Sequence, residues 1–351
     1  MRHEPHPRWT ADRLLELGRS YQAAAVLAAA ADLDLFDALA GRPRTAQETA
    51  RKLRGDVRGI VILLDALVAL RLLRKQAGRY SLIAGTAACL TADGAQSLLA
   101  MAQHQANCLR NWAQLARVVQ TGRPAKRTPS VRGAGGDQAA FIGAMHNISA
   151  PHADRVIQAL RPLRFHHLLD LGGASGTWTI AFLRACPAAR ATLFDLPHVI
   201  PMARRRLADA GLARRVQLVT GDFMKDPLPS GANLAWVSAI VHQNSRAQNR
   251  ALFASVFQAL APGGRIALRD ILMAKTRTRP LAGALFAVNM LVATAAGGTF
   301  TFDELREDLE AVGFKQAAVL RQDEAMNSIV AAKKPGGCAP SAQPPRPAAR
   351  S

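Results

Sequence analysis

The sequence predicts an α/β protein: a doubly wound, seven-stranded sheet with helices on both faces, preceded by a smaller, mostly helical unit. Three observations carry this prediction. From residue 165 to 334, short apolar runs of strand length alternate with stretches of helical period. The first of these runs, "HHLLDL", ends in an acid and opens directly onto the glycine cluster "GGASG". Upstream, between residues 10 and 96, two helical patterns joined by a turn are followed by a hairpin pattern.

At 351 residues the chain is long enough for about two domains. The net charge is +20, most of the positive side being arginine. The basic residues are spread along the chain with no aromatics interleaved, so a solvated surface is expected and no specific nucleic-acid partner. No charged residue occurs from Leu281 to Phe302, but that stretch holds Asn289, Thr294 and the pair Gly297-Gly298, which would break a spanning helix. A buried helix lining a cavity is expected there, and no membrane span. Cys89, Cys108, Cys186 and Cys338 show no metal-ligand spacing, so a reduced, cytoplasmic compartment and no metal are expected. The start, "MRHEPHPRWTADRLL", lacks the apolar core of a secretory signal.

In the first unit, "TAQETARKL" carries Thr45 and Glu48 at the spacing of a capping box, which starts a helix. "RGD" at 54–56 makes the turn, and "VRGIVILLDALVAL" over 57–70 is the next helix. "RLLRKQAGRYSLI" then reads as two short strands around Gly78, which completes a winged helix-turn-helix over 10–96. A DNA-reading helix must offer polar groups to base edges. The helix over 57–70 offers only Arg58 and Asp65 and is apolar nearly all round, so burial on more than one side and a packing or dimerisation role are expected. Residues 97–164 read as helical, broken by the Gly-, Pro- and Arg-rich loop 121–137. The strands of the sheet are expected at 166–171, 190–195, 216–220, 234–240, 264–272, 316–322 and 327–333. The stretch 335–351 is too polar and Pro-rich to order itself and is expected as a loose tail.

The glycines after the first strand do not make the dinucleotide pattern G-x-G-x-x-G. Gly172, Gly173 and Gly176 follow Asp170 as D-x-G-x-A-x-G, with Ala174 in the middle position. A turn that cradles pyrophosphate presents amides and a helix dipole, and a carboxylate there repels it. An acid suits a ligand with an ammonium, a sulfonium and no phosphate, namely S-adenosylmethionine (SAM). Asp195, at the end of the second strand, can accept from both ribose hydroxyls. Asp222, after the third, can accept from an adenine amino group, with Phe223 covering the ring.

"DLGGASG", "FDLPHVI", "GDFM" and "ALAPGGR" resemble, in order and place, motifs of the SAM-dependent O-methyltransferases that carry an N-terminal winged-helix dimerisation domain. That family includes plant phenolic, bacterial natural-product and acetylserotonin enzymes, and the resemblance covers residues 10–334. It implies a Rossmann-like methyltransferase domain over 165–334, a dimerisation domain over 10–96, and a helical linker over 97–164 that contributes to the dimer and the substrate pocket. It implies SAM as cofactor, held by Asp170, Gly172, Gly176, Asp195, Leu196, Asp222, Phe223 and Ser238, and a homodimer. The family's general base is a His in an "HDW"-like motif after the fourth strand, which here falls on His242 in "SAIVHQNS". A phenol is mostly protonated at neutral pH, and an imidazole can take its proton as the oxygen attacks the sulfonium methyl. Asp270 matches one of two acids that hold the family's His. At the place of the second, the glycine pair is followed by Thr299 and Phe300, and Glu304 has the spacing of a capping partner for Thr301.

The resemblance points to Phe141, Met145, Asn289 and Met290 as substrate walls suited to flat aromatic or polyketide-like acceptors, and to His104 and Asn107 as residues reaching a partner's pocket. With Gln243 and Asn244 replacing the "DW", a C- or N-methyltransferase on the same scaffold stays open beside O-methylation, as does a SAM-binding transcription regulator.

Overall fold

The computed structural model describes residues 8–336; the expected tail falls almost wholly outside the described residues. The chain divides into two compact units, Met1–Pro151 and His152–Ser351.

The first unit opens with α1 (Ala11–Arg19), α2 (Tyr21–Asp32) and α3 (Leu35–Leu39). A two-residue strand β1 (Arg44–Thr45) leads into α4 (Ala46–Leu53), α5 (Val57–Ala69), β2 (Leu73–Gln76) and β3 (Arg79–Leu82). Thr45 caps α4 in the expected box, its hydroxyl accepting from the Glu48 amide at 3.1 Å while Glu48 accepts from the Thr45 amide at 2.7 Å. Asp56 caps α5 in the same way, accepting from the Gly59 amide. The wing turns on two residues, Ala77 and Gly78, with φ of 46° and 72°. Two left-handed residues are what a two-residue hairpin needs to match the twist of its strands. β1 adds to this wing, Arg44 pairing with Tyr80, which its two residues did not announce.

Helix α5 differs from expectation. It buries Ile60, Leu64 and Leu67, one i, i+4, i+7 stripe, against α2, α3 and α4, while Ile62 on another face is 55% exposed. Uniform apolarity reports that a helix will be covered, not that its own chain covers it. Then follow α6 (Ala84–Leu90), α7 (Leu99–Trp112), α8 (Leu115–Thr121) and α9 (Gly133–Ala159). The connecting loop is shorter than expected, 122–132, because helix reaches in from both ends.

The second unit is the sheet. Its elements run β4 (His167–Leu171), α10 (Thr177–Ala185), β5 (Arg190–Asp195), α11 (Ile200–Asp209), β6 (Val216–Thr220), β7 (Leu234–Ser238), α12 (Arg246–Ala259) and β8 (Arg265–Asp270). After these come β9 (Leu272–Met273), α13 (Leu281–Ala293), β10 (Phe300–Thr301), α14 (Phe302–Ala311), β11 (Lys315–Arg321) and β12 (Ser328–Lys333). The strand order is β11-β12-β8-β7-β4-β5-β6, parallel except that β12 runs antiparallel to both neighbours. Alternation divides the side chains between two cores. Leu169, Leu171, Val237, Leu268 and Val330 face α12 and α14; Leu168, Trp236, Ala267 and Ile329 face α10 and the end of α9. The order reverses direction between β4 and β7, and a ligand crevice is expected outside the strand ends at such a point.

Two strands stop earlier than the sequence suggested. β7 ends at Ser238 because Ala239 turns left-handed at φ 58° and a 3-10 turn, Val241–Gln243, follows. β8 ends at Asp270, and Leu272–Met273 peels away to pair in parallel with Phe300–Thr301. No helix among the described residues is long and apolar enough to cross a membrane. α13 stops at Ala293, ahead of the glycine pair, but it is not the buried helix expected: Leu281 and Leu285 are exposed, and Met290 and Val292 turn inward.

Candidate active site

The chain leaves β4 through three left-handed residues, Gly172, Ala174 and Gly176, at φ 64°, 48° and 78°. At Gly172 the left-handed backbone favours glycine, and an added Cβ would also stand 2.7 Å from the end of the Ile240 side chain and 3.6 Å from the Phe223 ring. Ala174 tolerates the same backbone at some cost. Its conformation aims its amide at Asp195, 2.8 Å from Oδ2, and the Leu196 amide donates to Oδ1 at 2.7 Å. Each oxygen of Asp195 keeps a second acceptor site, as a vicinal diol requires. Burial holds the Asp195 carboxyl above its ordinary pKa.

Asp170 is buried on the α10 side of the sheet and accepts from the Thr179 hydroxyl at 2.5 Å. Burial pushes its pKa up to about 7, and the nearby Asp195 charge adds to the shift. No cation among the described residues pairs with it. This is a poor place for a phosphate and a good one for an ammonium. Asp222 lies after β6, accepting from the Met224 amide at 3.0 Å and pairing with Lys225 at 3.0 Å, which together hold its carboxyl below the usual range. Phe223 packs, half-buried, against the sheet core beside Gly172. Ser238 closes the row at the end of β7. Asp170, Asp195, Asp222 and Ser238 thus come together at the carboxyl ends of four adjacent strands. The acid-lined, glycine-floored crevice fits SAM.

His242 sits in the 3-10 turn after β7, only 6% exposed. Its Nδ1–H donates to Asp270, 2.8 Å from Oδ2 and 3.0 Å from Oδ1, and the Ile271 amide donates to Oδ1 at 2.8 Å. The edge-to-face ring of Phe286, 4.8 Å away, fixes the imidazole from the side. Among the described residues nothing bonds Nε2, which is left as the basic nitrogen.

The residues around His242 explain the departure from "HDW". Gln243 turns outward and bonds the Ala239 carbonyl. Asn244 bonds Asn249, which donates to the Val241 carbonyl at 3.0 Å, so two buried amides brace the turn. Ser245 caps α12 in a box with Gln248. Glu304 is the capping partner of Thr301, as its spacing suggested, and Thr299 is buried where a second acid was sought.

Of the substrate-wall candidates, Asn289 and Met290 lie on α13, three and four residues beyond Phe286 and so on the same side of the helix. Phe286 itself was missed, because a uniformly apolar run gives no sign of which face meets the His242 ring. Phe141 and Met145 lie in the first unit on α9, where Phe141 meets His104 edge-on at 5.2 Å; Asn107 is bonded by Arg110.

The glycine pair also has a task. The Gly298 amide donates to the His242 carbonyl at 2.9 Å, and a Cβ on Gly297 would lie 2.5 Å from that same carbonyl oxygen. Gly297→Ala is expected to push the His242 turn aside and lower kcat about tenfold or more with little loss of Tm, since small misplacements of a reacting group cost that much. Steady-state kinetics beside thermal unfolding checks this. Unchanged kcat would show the turn to be compliant.

Comparison with known proteins agrees with this geometry. Residues 112–315 match the O-methyltransferase domain, and residues 15–92 match the O-methyltransferase dimerisation domain. The 3-hydroxy-5-methyl-1-naphthoate 3-O-methyltransferase of Streptomyces sahachiroi is 31% identical over 314 residues, covering 88% of this chain and 91% of that protein. The tetracenomycin polyketide synthesis 8-O-methyl transferase of Streptomyces glaucescens is 32% identical over 322 residues, covering 88% of this chain and 92% of that one. Human N-acetylserotonin methyltransferase, solved in complex with SAM, superposes with a TM-score of 0.79 at 26% identity, covering 95% of this chain and 100% of that one. SAM is the methyl donor of the present enzyme, and the chain belongs to the SAM-dependent O-methyltransferases with an N-terminal dimerisation domain.

Proposed function

We propose that this enzyme methylates a hydroxyl group on an aromatic or polyketide-like small molecule of secondary metabolism, with His242 as general base. The observation that carries the reading is the buried His242–Asp270 pair at the sheet edge, with Nε2 unbonded. SAM supplies an electrophilic methyl on its sulfonium. The chain's own residues supply the rest. Asp270 holds the imidazole in the tautomer that leaves Nε2 free, and stabilises the positive charge when Nε2 takes the hydroxyl proton. Phe286 offers a flat apolar wall beside the imidazole, and Asn289 and Met290 follow one turn on along α13.

In the same proposal Asp170 holds the donor's ammonium, Gly172 and Gly176 let it approach the backbone, and Asp195 with Leu196 takes the ribose. Asp222 and Phe223 take the adenine, and Ser238 the amino-acid end. The acceptor class is supported by the naphthoate and tetracenomycin activities of the two Streptomyces relatives. A homodimer is supported by α1, none of whose residues is buried, and by the exposed Leu14, Leu17 and Ile62 of the dimerisation domain. The exposed part of α5 presents Val57 and Ile62 with Arg58 beside them, and one basic side chain among apolar ones offers little to base edges, so a DNA-binding role gains no support. Cys89, Cys108 and Cys186 are free, which supports a reducing, cytoplasmic setting.

The test is incubation with methyl-labelled SAM and a panel of hydroxynaphthoates, polyketide phenols and matched arylamines, with the product read by mass spectrometry. Label is expected on a phenolic oxygen. Label on nitrogen or carbon alone, or on none of the panel, would overturn the acceptor reading.

A further inference from the structure

A second charged group lies beneath α10 on the Asp170 side of the sheet, and none of the roles above uses it. Arg269 precedes Asp270 on β8, so strand alternation turns it to the opposite face from the His242 pair. It is 1% exposed. Its Nε and Nη2 donate to Oδ1 of Asn327 at 3.0 and 2.8 Å, its Nη1 donates to the Ser238 hydroxyl at 3.1 Å, and the Trp178 indole covers the guanidinium at 4.4 Å. All three partners are neutral. The carboxylates whose charge reaches it are engaged elsewhere, Asp270 with His242 and Asp323 with Arg321. Burial pushes the Arg269 pKa down to about 10. A guanidinium this deeply buried normally faces an anion.

Ser238 shows where that anion belongs. It ends β7 at the crevice and is half-buried. Its oxygen accepts from Arg269, so its own proton is free to be donated outward. Asp170, on the same face, is the mirror image, a buried carboxylate whose hydrogen-bond partner is a hydroxyl. One carboxylate lacking a cation and one guanidinium lacking an anion are the complement of an α-amino acid, and the methionyl end of SAM is one.

We infer that Ser238 and Arg269 together recognise the α-carboxylate of SAM, Ser238 by a direct hydrogen bond and Arg269 by the positive charge behind it. Asn327 and Trp178 hold the guanidinium in place. The inference rests on SAM as donor and is independent of the acceptor. Arg269 is a positioning residue that acts through Ser238.

The experiment is calorimetry with two ligands, S-adenosylhomocysteine and its analogue lacking the α-carboxylate. The wild type is expected to bind the analogue about a hundredfold more weakly, as for loss of a charge-assisted hydrogen bond. Ser238→Ala and Arg269→Gln are expected to weaken S-adenosylhomocysteine by about ten- and a hundredfold, and to leave the analogue's affinity unchanged. Equal affinity of the wild type for both ligands, or variants that weaken both ligands alike, would overturn the inference while leaving the donor intact. Binding of neither ligand to the wild type would overturn the donor assignment itself. Should Arg269→Gln fail to fold, the wild-type comparison and Ser238→Ala still decide the matter.

Discussion

His242→Ala is expected to lower kcat by about two to four orders of magnitude, the usual contribution of a positioned general base, while the affinity for S-adenosylhomocysteine stays within about twofold. The separation follows from the fold. His242 lies just beyond the end of β7 and Asp270 closes β8, whereas the acids proposed to hold the donor lie at β4, β5 and β6. Asp270→Asn keeps the shape and is expected to cost nearly as much. An amide –NH₂ facing Nδ1 favours the tautomer with its proton on Nε2, the nitrogen that must be free. The decisive measurement uses acceptors of graded acidity. For an ordinary phenol, with a pKa of about 10, the full loss is expected. For an electron-poor phenol already ionised at the assay pH, the loss should shrink to less than about tenfold, because no proton remains to be taken. If His242→Ala turns over the weakly acidic phenol at near wild-type rate, His242 is not the base and positioning alone drives transfer.

Much of this architecture was legible because it rests on period and local chemistry. Each of the seven strands falls within about two residues of its apolar run at either end, and the boxes at Thr45 and Thr301 close as their spacing implied. The place of Asp170 near the end of β4, ahead of a glycine turn, was also readable, since an apolar run and the glycines after it are local signals. What could not be read depends on partners distant in sequence. β1 and β10 are two-residue strands whose pairings, Arg44 with Tyr80 and Phe300 with Leu272, leave no periodic trace. Arg269 in "RIALRD" looks like one more solvated arginine of a strongly basic chain; that it is buried depends on Trp178 and Asn327, some 90 residues before and 60 after. The bracing of the His242 turn by Asn249 is likewise a tertiary fact. The helices α5 and α13 mark the opposite limit: their apolarity was read correctly, and their exposure in the single chain could not be.

Donor affinity is expected to rise steeply with pH below about 7, and Asp170→Asn to abolish that rise. Burial holds the Asp170 carboxyl at about 7, Asp195 adds to the shift, and the Thr179 hydroxyl opposes it. The folded pKa therefore lies above the unfolded value of about 3.9, and between the two the folded chain keeps a proton that the unfolded chain has lost. Without ligand, Asp170's contribution to stability is greatest below about pH 4 and declines as pH climbs through about 7. Ligand binding has the opposite sign. An ammonium beside Asp170 favours the carboxylate, so protonation competes with the donor, and affinity gains up to about tenfold per pH unit until the carboxyl is ionised. Above that the curve flattens, until the ligand's own amino group begins to lose its proton. Asp170→Asn removes the competing proton and the attractive charge together. Its affinity for S-adenosylhomocysteine should be flat from about pH 5.5 to 8 and, at the upper end, about 10- to 100-fold below wild type. Its unliganded Tm at pH 8 should rise, because a buried charge has been replaced by a neutral isostere. Calorimetry across this range on both proteins decides between the readings. A wild-type affinity indifferent to pH would mean that Asp170 does not meet the ammonium, and a slope surviving in Asp170→Asn would assign the titrating group to another residue of the crevice.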